Sequence, residues 1–475
     1  MRVFSRIIAP FARSKRFNYI SIFLAFFILF LFYIIPYTPD GLSHNGKMMI
    51  GILLAAAILW ITEPIPLPAT GLLIMVLQPL LGIIPSKTVF SSFGNEAVFF
   101  LIGAFVIAAA IEKHGLHKRI ALRFLTFFEH SPKSFTFGIM FSCALLSFIM
   151  PEHGVAALFL PIISSILLAM KIIPKQSNFG IVSMLSLAYG CSIGSLGTLV
   201  GGARNPLTIG FLSEIGINVT FLDWMIYSVP VVFISLPIVW LILQISFPLE
   251  ITDITVAKKE ISNQVVAEGK IGKNEILVLS VLILTIILWV FFSHQAFFGL
   301  ATIALIGSLL LFITRSINWK DVEKRVPWGV ILLYGGAITL GAGMTNTGAG
   351  AWIAQNLISN MNSNPYIVII GLVVFTIFLT EFMSNTGAVA VLLPIGLAIS
   401  SEVVGISPLL SSMLIALSGG LAFMLVIATP GNAITYTSGY YSTRDLLKAG
   451  IFANISCILV LFTVAIVYWK GILGL

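Results

Sequence analysis

Three polar residues, Ser384, Asn385 and Thr386, lie between two apolar stretches at residues 367–379 and 389–399. A helix needs about 20 apolar residues to cross a bilayer, so each stretch is too short to cross alone. The pattern predicts a hairpin of two half-helices with its polar tip inside the membrane. Backbone at that depth is tolerated only where it is buried in protein or lines a wet cavity. The tip is therefore a candidate binding site.

The residue types at this tip suit ion binding. Hydroxyl, amide and carbonyl oxygens are uncharged ligands for a hard cation, and helix N-termini present unpaired N–H groups to an anion. Thr380 adds an oxygen one helical turn earlier, and Thr429-Pro430-Gly431-Asn432 interrupts a later span. Alternatively, the Ser and Asn side chains only join helices through hydrogen bonds. The recurrence of a tip with a broken span favours a site.

The same design occurs earlier in the chain, at an offset of 233 positions. Residues 151–161 align with 384–394 without a gap, and Gly103-Ala104 and Gly115 match Gly336-Ala337 and Gly348. Three matches in one register indicate an internal duplication.

The first copy carries charges where the second does not. Pro151, Glu152 and His153 replace the Ser-Asn-Thr triplet, and the following broken span contains Arg204. Charged groups inside a membrane are costly and are functional candidates. Three interpretations stay open: a structural Glu152–Arg204 pair, binding of a substrate anion by Arg204, and proton coupling through Glu152 or His153.

Composition places the chain in a membrane. Of 475 residues, 58% are hydrophobic and 9% are charged, whereas soluble domains carry roughly 25% charged residues. The net charge of +8 comes from short loops between spans, as in cytoplasmic loops, so we expect no nucleic-acid partner. Protease signatures and a P-loop are missing from the sequence, which argues against an intramembrane enzyme and an ATP-driven pump. A channel on the same scaffold stays possible.

The elements predict an all-α polytopic protein of about eleven transmembrane helices plus two re-entrant hairpins, arranged as an inverted repeat. The basic residues before the first span, Arg2, Arg6, Arg13, Lys15 and Arg16, predict a cytoplasmic amino terminus, with the carboxyl terminus outside the plasma (inner) membrane. The expected segments are 1–46 with the first span; 47–249, the first repeat, with a hairpin at about 135–170 and a broken helix at about 179–211; 250–274, a solvated cytoplasmic linker; and 275–475, the second repeat, with a hairpin at about 363–401 and a broken helix at about 408–440.

Several of these segments resemble the divalent anion:sodium symporters, the sodium-dependent dicarboxylate and sulfate carriers. The resemblance rests on residues 380–386 followed by Pro394, on residues 428–434, and on residues 62–66, which are similar to a "TEAIP" signature of that family. It implies a homodimer in which a scaffold part holds the dimer and a transport part moves like an elevator. It also implies sodium-coupled movement of a small divalent anion, such as a dicarboxylate, sulfate or similar oxyanion.

The resemblance assigns site residues by position. The implied substrate ligands are Ser384, Asn385, Thr386, Thr429, Pro430 and Thr198, to which His153 and Arg204 are added from their charge, because the chain departs from the family pattern at those two positions. The implied second sodium site comprises Thr380, Ser384, Asn385 and Ala428, and the altered first site comprises Ser147, Pro151, Glu152, Gly197 and Asn205. Our hypothesis is that Arg204, paired with Glu152, substitutes for the first sodium ion. A proton-coupled or exchange-type anion carrier is the alternative.

Overall fold

A computed structural model describes residues 15–295, 297–359, 364–403 and 405–475, so the basic residues Arg2, Arg6 and Arg13 lie outside the described part. All regular secondary structure in these ranges is helical. The helices are α1 Lys15–Ile34, α2 His44–Thr62, α3 Leu67–Leu80, α4 Ser86–Ser91, α5 Glu96–Lys113, α6 Leu116–Thr126, α7 Pro132–Leu146, α8 Glu152–Ala169, α9 Asn178–Gly194, α10 Arg204–Glu214, α11 Phe221–Ser246, α12 Thr255–Ala267, α13 Lys273–Phe292, α14 Leu300–Ile313, α15 Trp319–Arg325, α16 Trp328–Asn346, α17 Ala349–Ser359, α18 Pro365–Phe382, α19 Asn385–Glu402, α20 Pro408–Ser418, α21 Pro430–Tyr436 and α22 Thr443–Thr463, the last followed by a π-helical turn. Within the described ranges, ten candidate membrane spans are long and apolar enough to cross a bilayer.

The 233-residue offset extends from sequence to secondary structure. Helices α6 and α17 have 11 residues each, and α8 and α19 have 18 each, and both pairs start at equivalent positions. Gly115 and Gly348, which precede α6 and α17, adopt left-handed backbone conformations with φ of 71° and 72°. Glycine adopts this conformation without a steric penalty, which explains its presence at both turns.

Two helical hairpins form where they are predicted, α7 with α8 and α18 with α19. The expectation that each arm of the second hairpin is too short to cross was wrong, because α18 and α19, with 18 residues each, are both among the helices long and apolar enough to cross a bilayer. Polar residues at both ends extend the helices beyond the apolar stretches. The tip is nevertheless enclosed by protein, since Thr380 and Asn385 are buried.

Two spans are interrupted, between α9 and α10 at residues 195–203 and between α20 and α21 at residues 419–429. The second interruption begins earlier than the predicted break at residues 428–432, because α20 ends before Gly419-Gly420 and α21 already contains Gly431 and Asn432. Helix α10 packs on α19, and α21 packs on α8. Each broken span thus contacts the hairpin of the other half.

The linker at residues 250–274 is not only a solvated loop. It contains α12, which buries Ala257 and Ile261, and the Glu260 carboxylate accepts a hydrogen bond from Ser165 of α8 at 3.3 Å. The four-residue spacing of the two buried side chains places them on one helix face. The linker therefore packs on the end of α8 that lies away from the hairpin tip.

The buried apolar residues form two clusters. One includes Phe159 of α8 and Met184 of α9, and the other includes Ile52 of α2 and Leu340 of α16. Helices approach closely at Gly336, where a Cβ atom would lie 2.3 Å from the Cα of Gly71. Small residues permit this approach, as is usual between helices in membranes.

Candidate functional site

The two hairpin tips touch each other. Glu152 is the first residue of α8 and Asn385 is the first residue of α19. Asn385 Nδ2 lies 3.4 Å from Glu152 Oε1, and both residues are buried. They are equivalent positions of the repeat, 233 residues apart. The structure therefore brings the two predicted tips into contact.

The first half-site contains a buried pair of charges. Arg204, at the start of α10, is only 1% exposed, and its Nη1 lies 3.9 Å from Glu152 Oε1. Ser195 joins the two, because its hydroxyl accepts from Arg204 Nη2 at 2.7 Å and donates to Glu152 Oε2 at 3.0 Å. The side chains thus face one another as expected. A buried pair of this kind is stable only when further hydrogen bonds accompany it, and Ser195 supplies them.

The second half-site is a cluster of uncharged oxygens. Asn385 Oδ1 lies 2.8 Å from Thr380 Oγ1, which lies 3.1 Å from the carbonyl oxygen of Gly419. Asn385 Oδ1 also lies 3.2 Å from Gly419 O and 3.0 Å from Ala428 O. Four oxygens this close are stabilised by a cation between them, whereas a half-turn of the amide would place Nδ2 there as a hydrogen-bond donor. Carbonyls at the ends of interrupted helices commonly bind sodium in transporters.

Two asparagines hold the interrupted segments in the same way. Asn205 Nδ2 donates to the carbonyls of Ser195 and Thr198 at 2.7 and 2.6 Å. Asn432 Nδ2 donates to the carbonyls of Ala422 and Leu425 at 3.4 and 3.0 Å. In both pairs the accepting residues are 10 and 7 positions before the asparagine. Asn205, predicted as part of the first cation site, thus uses its amide nitrogen to fix the loop backbone.

Glu381 anchors the second interrupted segment. Its carboxylate, on a residue with no exposed surface, accepts from the backbone N–H groups of Met424 and Leu425 at 3.0 and 2.9 Å. It also accepts from Asn454 Nδ2 at 2.7 Å. These bonds connect the end of α18 to the loop that supplies the Gly419 and Ala428 carbonyls. The oxygens of Glu381 are therefore engaged in fixing this loop.

Three predicted hydroxyls are engaged in holding the backbone. Ser384 Oγ accepts from the N–H of Gly387 at 3.2 Å, and Thr429 Oγ1 accepts from the N–H of Asn432 at 3.1 Å. Both are helix N-caps, which satisfy otherwise unpaired N–H groups. Thr198 Oγ1 donates to the carbonyl of Phe148 at 2.7 Å. These residues shape the tips and breaks beside the half-sites.

The other predicted residues differ in accessibility. His153 and Pro430 are exposed, and Thr386 and Pro151 are half-buried. Ser147 is buried, and its hydroxyl has no hydrogen-bond partner among the described residues. The carbonyl of Gly197 accepts from Ser228 Oγ at 3.1 Å. His153 and Pro430 therefore have exposed surface, whereas Ser147 and Arg204 have almost none.

Sequence reasoning missed Ser195 and Gly419. The carbonyl of Gly419 carries no sequence signal, because every residue has one. Ser195 lies within the Gly-rich stretch at residues 194–206 that the sequence predicts to interrupt the span, but its residue type gives no sign of a partner. The Gly419-Gly420 pair was the available signal for an interruption at that point.

Comparison with known proteins gives concordant results. The family model described as "Sodium:sulfate symporter transmembrane region" matches residues 15–475. The chain is 31% identical to the sodium-dependent dicarboxylate transporter SdcS of Staphylococcus saprophyticus, over 94% of this chain and 91% of the relative. It is 30% identical to SdcS of Staphylococcus aureus strain USA300, with the same coverage.

Two solved structures share the fold. MtrF of Neisseria gonorrhoeae, titled as one of a class of antimetabolite efflux pumps, aligns over 93% of this chain and 97% of its own with a TM-score of 0.56 and 14% identity. The YdaH transporter of Alcanivorax borkumensis aligns over 83% of this chain and 89% of its own with a TM-score of 0.58 and 13% identity.

Proposed function

This chain belongs to the sodium:sulfate symporter family, and from that premise and the two half-sites we propose that it carries a small divalent anion across the membrane together with sodium. It is an integral membrane transporter and not an enzyme. The observation that carries the coupling ion is the cluster of Thr380 Oγ1 and the carbonyl oxygens of Gly419 and Ala428 around the Asn385 amide, which presents four oxygens when Asn385 Oδ1 faces them. None of the four is a carboxylate, so the cluster suits a monovalent cation better than calcium or magnesium.

In this proposal the anion binds beside the touching hairpin tips, on the side of His153 and Thr386. The N-termini of α8 and α19 converge at the tips, and helix N-termini favour negative charge. His153 is exposed and Thr386 is half-buried. A dicarboxylate fits best with the names of the relatives, and sulfate or another oxyanion uses the same chemistry.

The first half-site has a fixed positive charge in place of a cation. Arg204 is buried behind Glu152 and Ser195, so direct contact with the solute would first require its exposure. We infer that the guanidinium replaces the first sodium ion of the family plan, and that fewer sodium ions accompany each anion. If uptake does not depend on sodium, the fixed Glu152–Arg204 pair favours the alternative, an exchange-type or proton-coupled carrier.

The architecture supports an inverted repeat. Gly103 packs against Ala304, and Gly336 packs against Gly71. Adding 233 to Gly103 and to Gly71 gives 336 and 304, so the two contacts are equivalent under exchange of the halves. One apolar cluster contains the first hairpin, and the other joins α2, α3 and α16 to α19 of the second hairpin. From the family resemblance we include elevator motion and a homodimer in the proposal, and from the distribution of basic residues we include residence in the plasma membrane, an inside amino terminus and an outside carboxyl terminus.

Uptake into proteoliposomes tests the function. Labelled succinate and sulfate are offered with an imposed sodium gradient, a proton gradient, or unlabelled anion inside. Sodium-driven accumulation is the expected result. Uptake that ignores sodium but requires internal anion, or follows the proton gradient, would favour the alternative.

A matched pair of variants tests the cation site. Thr380→Val removes one oxygen of the cluster, and we expect the sodium concentration for half-maximal uptake to rise about tenfold, the effect of losing one such contact. Thr376→Val is the control, because Thr376 lies one turn earlier on α18, is equally buried and only donates to the carbonyl of Leu372. Equal effects of the two substitutions would contradict the assignment.

Arg204→Ala tests the first half-site. Removal of the fixed charge is expected to abolish uptake or to make it require more sodium. Unchanged uptake with unchanged sodium dependence would refute the substitution of Arg204 for an ion.

A further inference from the structure

A continuous chain of contacts connects the charged half-site to the oxygen cluster. It runs from Arg204 through Ser195 and Glu152 to Asn385, with distances of 2.7, 3.0 and 3.4 Å. Asn385 then faces Thr380 and two loop carbonyls. One side chain, the Asn385 amide, therefore touches both half-sites.

The orientation of that amide decides what the cluster can bind. With Oδ1 toward Thr380, four oxygens converge and Nδ2 donates to Glu152. After a half-turn, Nδ2 donates to Thr380 Oγ1, Gly419 O and Ala428 O. In that orientation a hydrogen of the amide NH2 group occupies the position of the cation, and the amide oxygen faces the Glu152 carboxylate.

Glu152 distinguishes the two orientations. A carboxylate accepts hydrogen bonds and cannot donate one, so it stabilises Nδ2 beside it and repels Oδ1. Hydrogen bonds with an ionised partner are about twice as strong as neutral ones. Glu152 is itself fixed, because Ser195 donates to its other oxygen and Arg204 balances its charge.

We propose that Glu152 is a positioning residue for the sodium site, which turns the Asn385 amide oxygen toward the cation although it belongs to the other half of the repeat. The inference rests on the proposed sodium coupling and adds a specific cause for it. Sodium binding then depends on a residue that does not touch the ion. The fixed ion pair of the first half-site sets the affinity of the second half-site.

Two substitutions separate orientation from charge. Glu152→Gln removes the charge but keeps an oxygen that accepts from Asn385 Nδ2. The NH2 group of the new amide can donate to Ser195 Oγ. Ser195 retains another acceptor, the carbonyl of Ser192 at 2.7 Å. Glu152→Met has a similar shape and no acceptor. Only the Met variant releases the amide.

The readout is sodium-dependent thermal stabilisation of the detergent-purified protein without any anion, measured against choline. For Glu152→Met we expect the sodium concentration for half-maximal stabilisation to rise about tenfold, and for Glu152→Gln less than about threefold. Glu96→Met is the control, because that carboxylate accepts from the N–H of Ala301, away from both half-sites. It should match the unmodified protein.

Each outcome decides the matter. Equal weakening by Gln and Met shows that the charge acts, not the amide orientation, and overturns the proposal; so does a Met variant that binds sodium normally. If Glu152→Met fails to fold because Arg204 is left unpaired, Glu152→Met/Arg204→Met removes both charges and should show the same weakened binding. If the unmodified protein shows no sodium-dependent shift, the proposed sodium coupling fails together with this role. A normal shift that survives Glu152→Met overturns the role of Glu152 alone.

Discussion

Glu381→Gln is the sharpest test of how the cation site is built. In the native protein one carboxylate oxygen receives the N–H of Leu425, and the other receives Asn454 Nδ2, with Met424 N–H within reach of both. A glutamine can keep its oxygen on the two backbone N–H groups. The Nε2 atom of the glutamine amide then faces Asn454 Nδ2. One charge-assisted hydrogen bond is thereby replaced by a contact between two donors.

The size of the effect follows from that exchange. A hydrogen bond to a charged group contributes about 1.5–3 kcal/mol, and a tenfold change in affinity corresponds to about 1.4 kcal/mol. Because the affected loop supplies Gly419 O and Ala428 O, we expect the sodium concentration for half-maximal uptake to rise about tenfold or more. The maximal rate at saturating sodium should fall less, since Glu381 has no exposed surface that could contact the anion.

The assay is uptake in proteoliposomes over a series of sodium concentrations, with thermal unfolding of the same protein as a check on folding. Glu96→Gln is the matched control, because its carboxylate accepts one backbone N–H outside the site. A Glu381→Gln protein that folds and whose sodium dependence stays within twofold of the native one would refute the reasoning that Glu381 positions the loop.

Two glycines give further predictions. A Cβ at Gly420 would lie 2.0 Å from Arg204 Nη2, so Gly420→Ala should displace the guanidinium. We expect it to impair uptake to the extent that Arg204→Met, which removes the guanidinium, impairs it, and the double variant should be no worse than Arg204→Met alone. Gly336→Ala would force α16 away from Gly71, which should lower stability by about 1–3 kcal/mol, seen as a lower unfolding temperature with unchanged sodium dependence.

The outcomes that contradict these two predictions differ. Additive losses in the Gly420→Ala/Arg204→Met protein would show that Gly420 acts without Arg204. An unfolding temperature unaffected by Gly336→Ala would mean that α3 and α16 are not packed as closely as described. Gly371→Ala serves as the control for both, because a Cβ at Gly371 meets no heavy atom within 4 Å.

The sequence by itself predicted the membrane class, an internal duplication and both hairpins, and it offered a Glu152–Arg204 pair as one of three interpretations. These features depend on apolar run length, on polar residues inside such runs and on a repeat register, all of which are written locally in the chain. The family resemblance, now confirmed, rests on the same motifs. The sequence did not predict the helix in the linker or the early end of α20, because weak amphipathic patterns and a pair of glycines do not fix helix boundaries.

Only the tertiary structure decided which groups meet. It placed Ser195 between Arg204 and Glu152, joined Glu381 to a loop 43 residues later, and made carbonyls of Gly419 and Ala428 part of the oxygen cluster. Backbone carbonyls are present at every residue, so their selection as ligands depends on where the helices are interrupted and how the two halves pack. Contact between Glu152 and Asn385 likewise follows from the assembly of two hairpins whose tips are far apart along the chain.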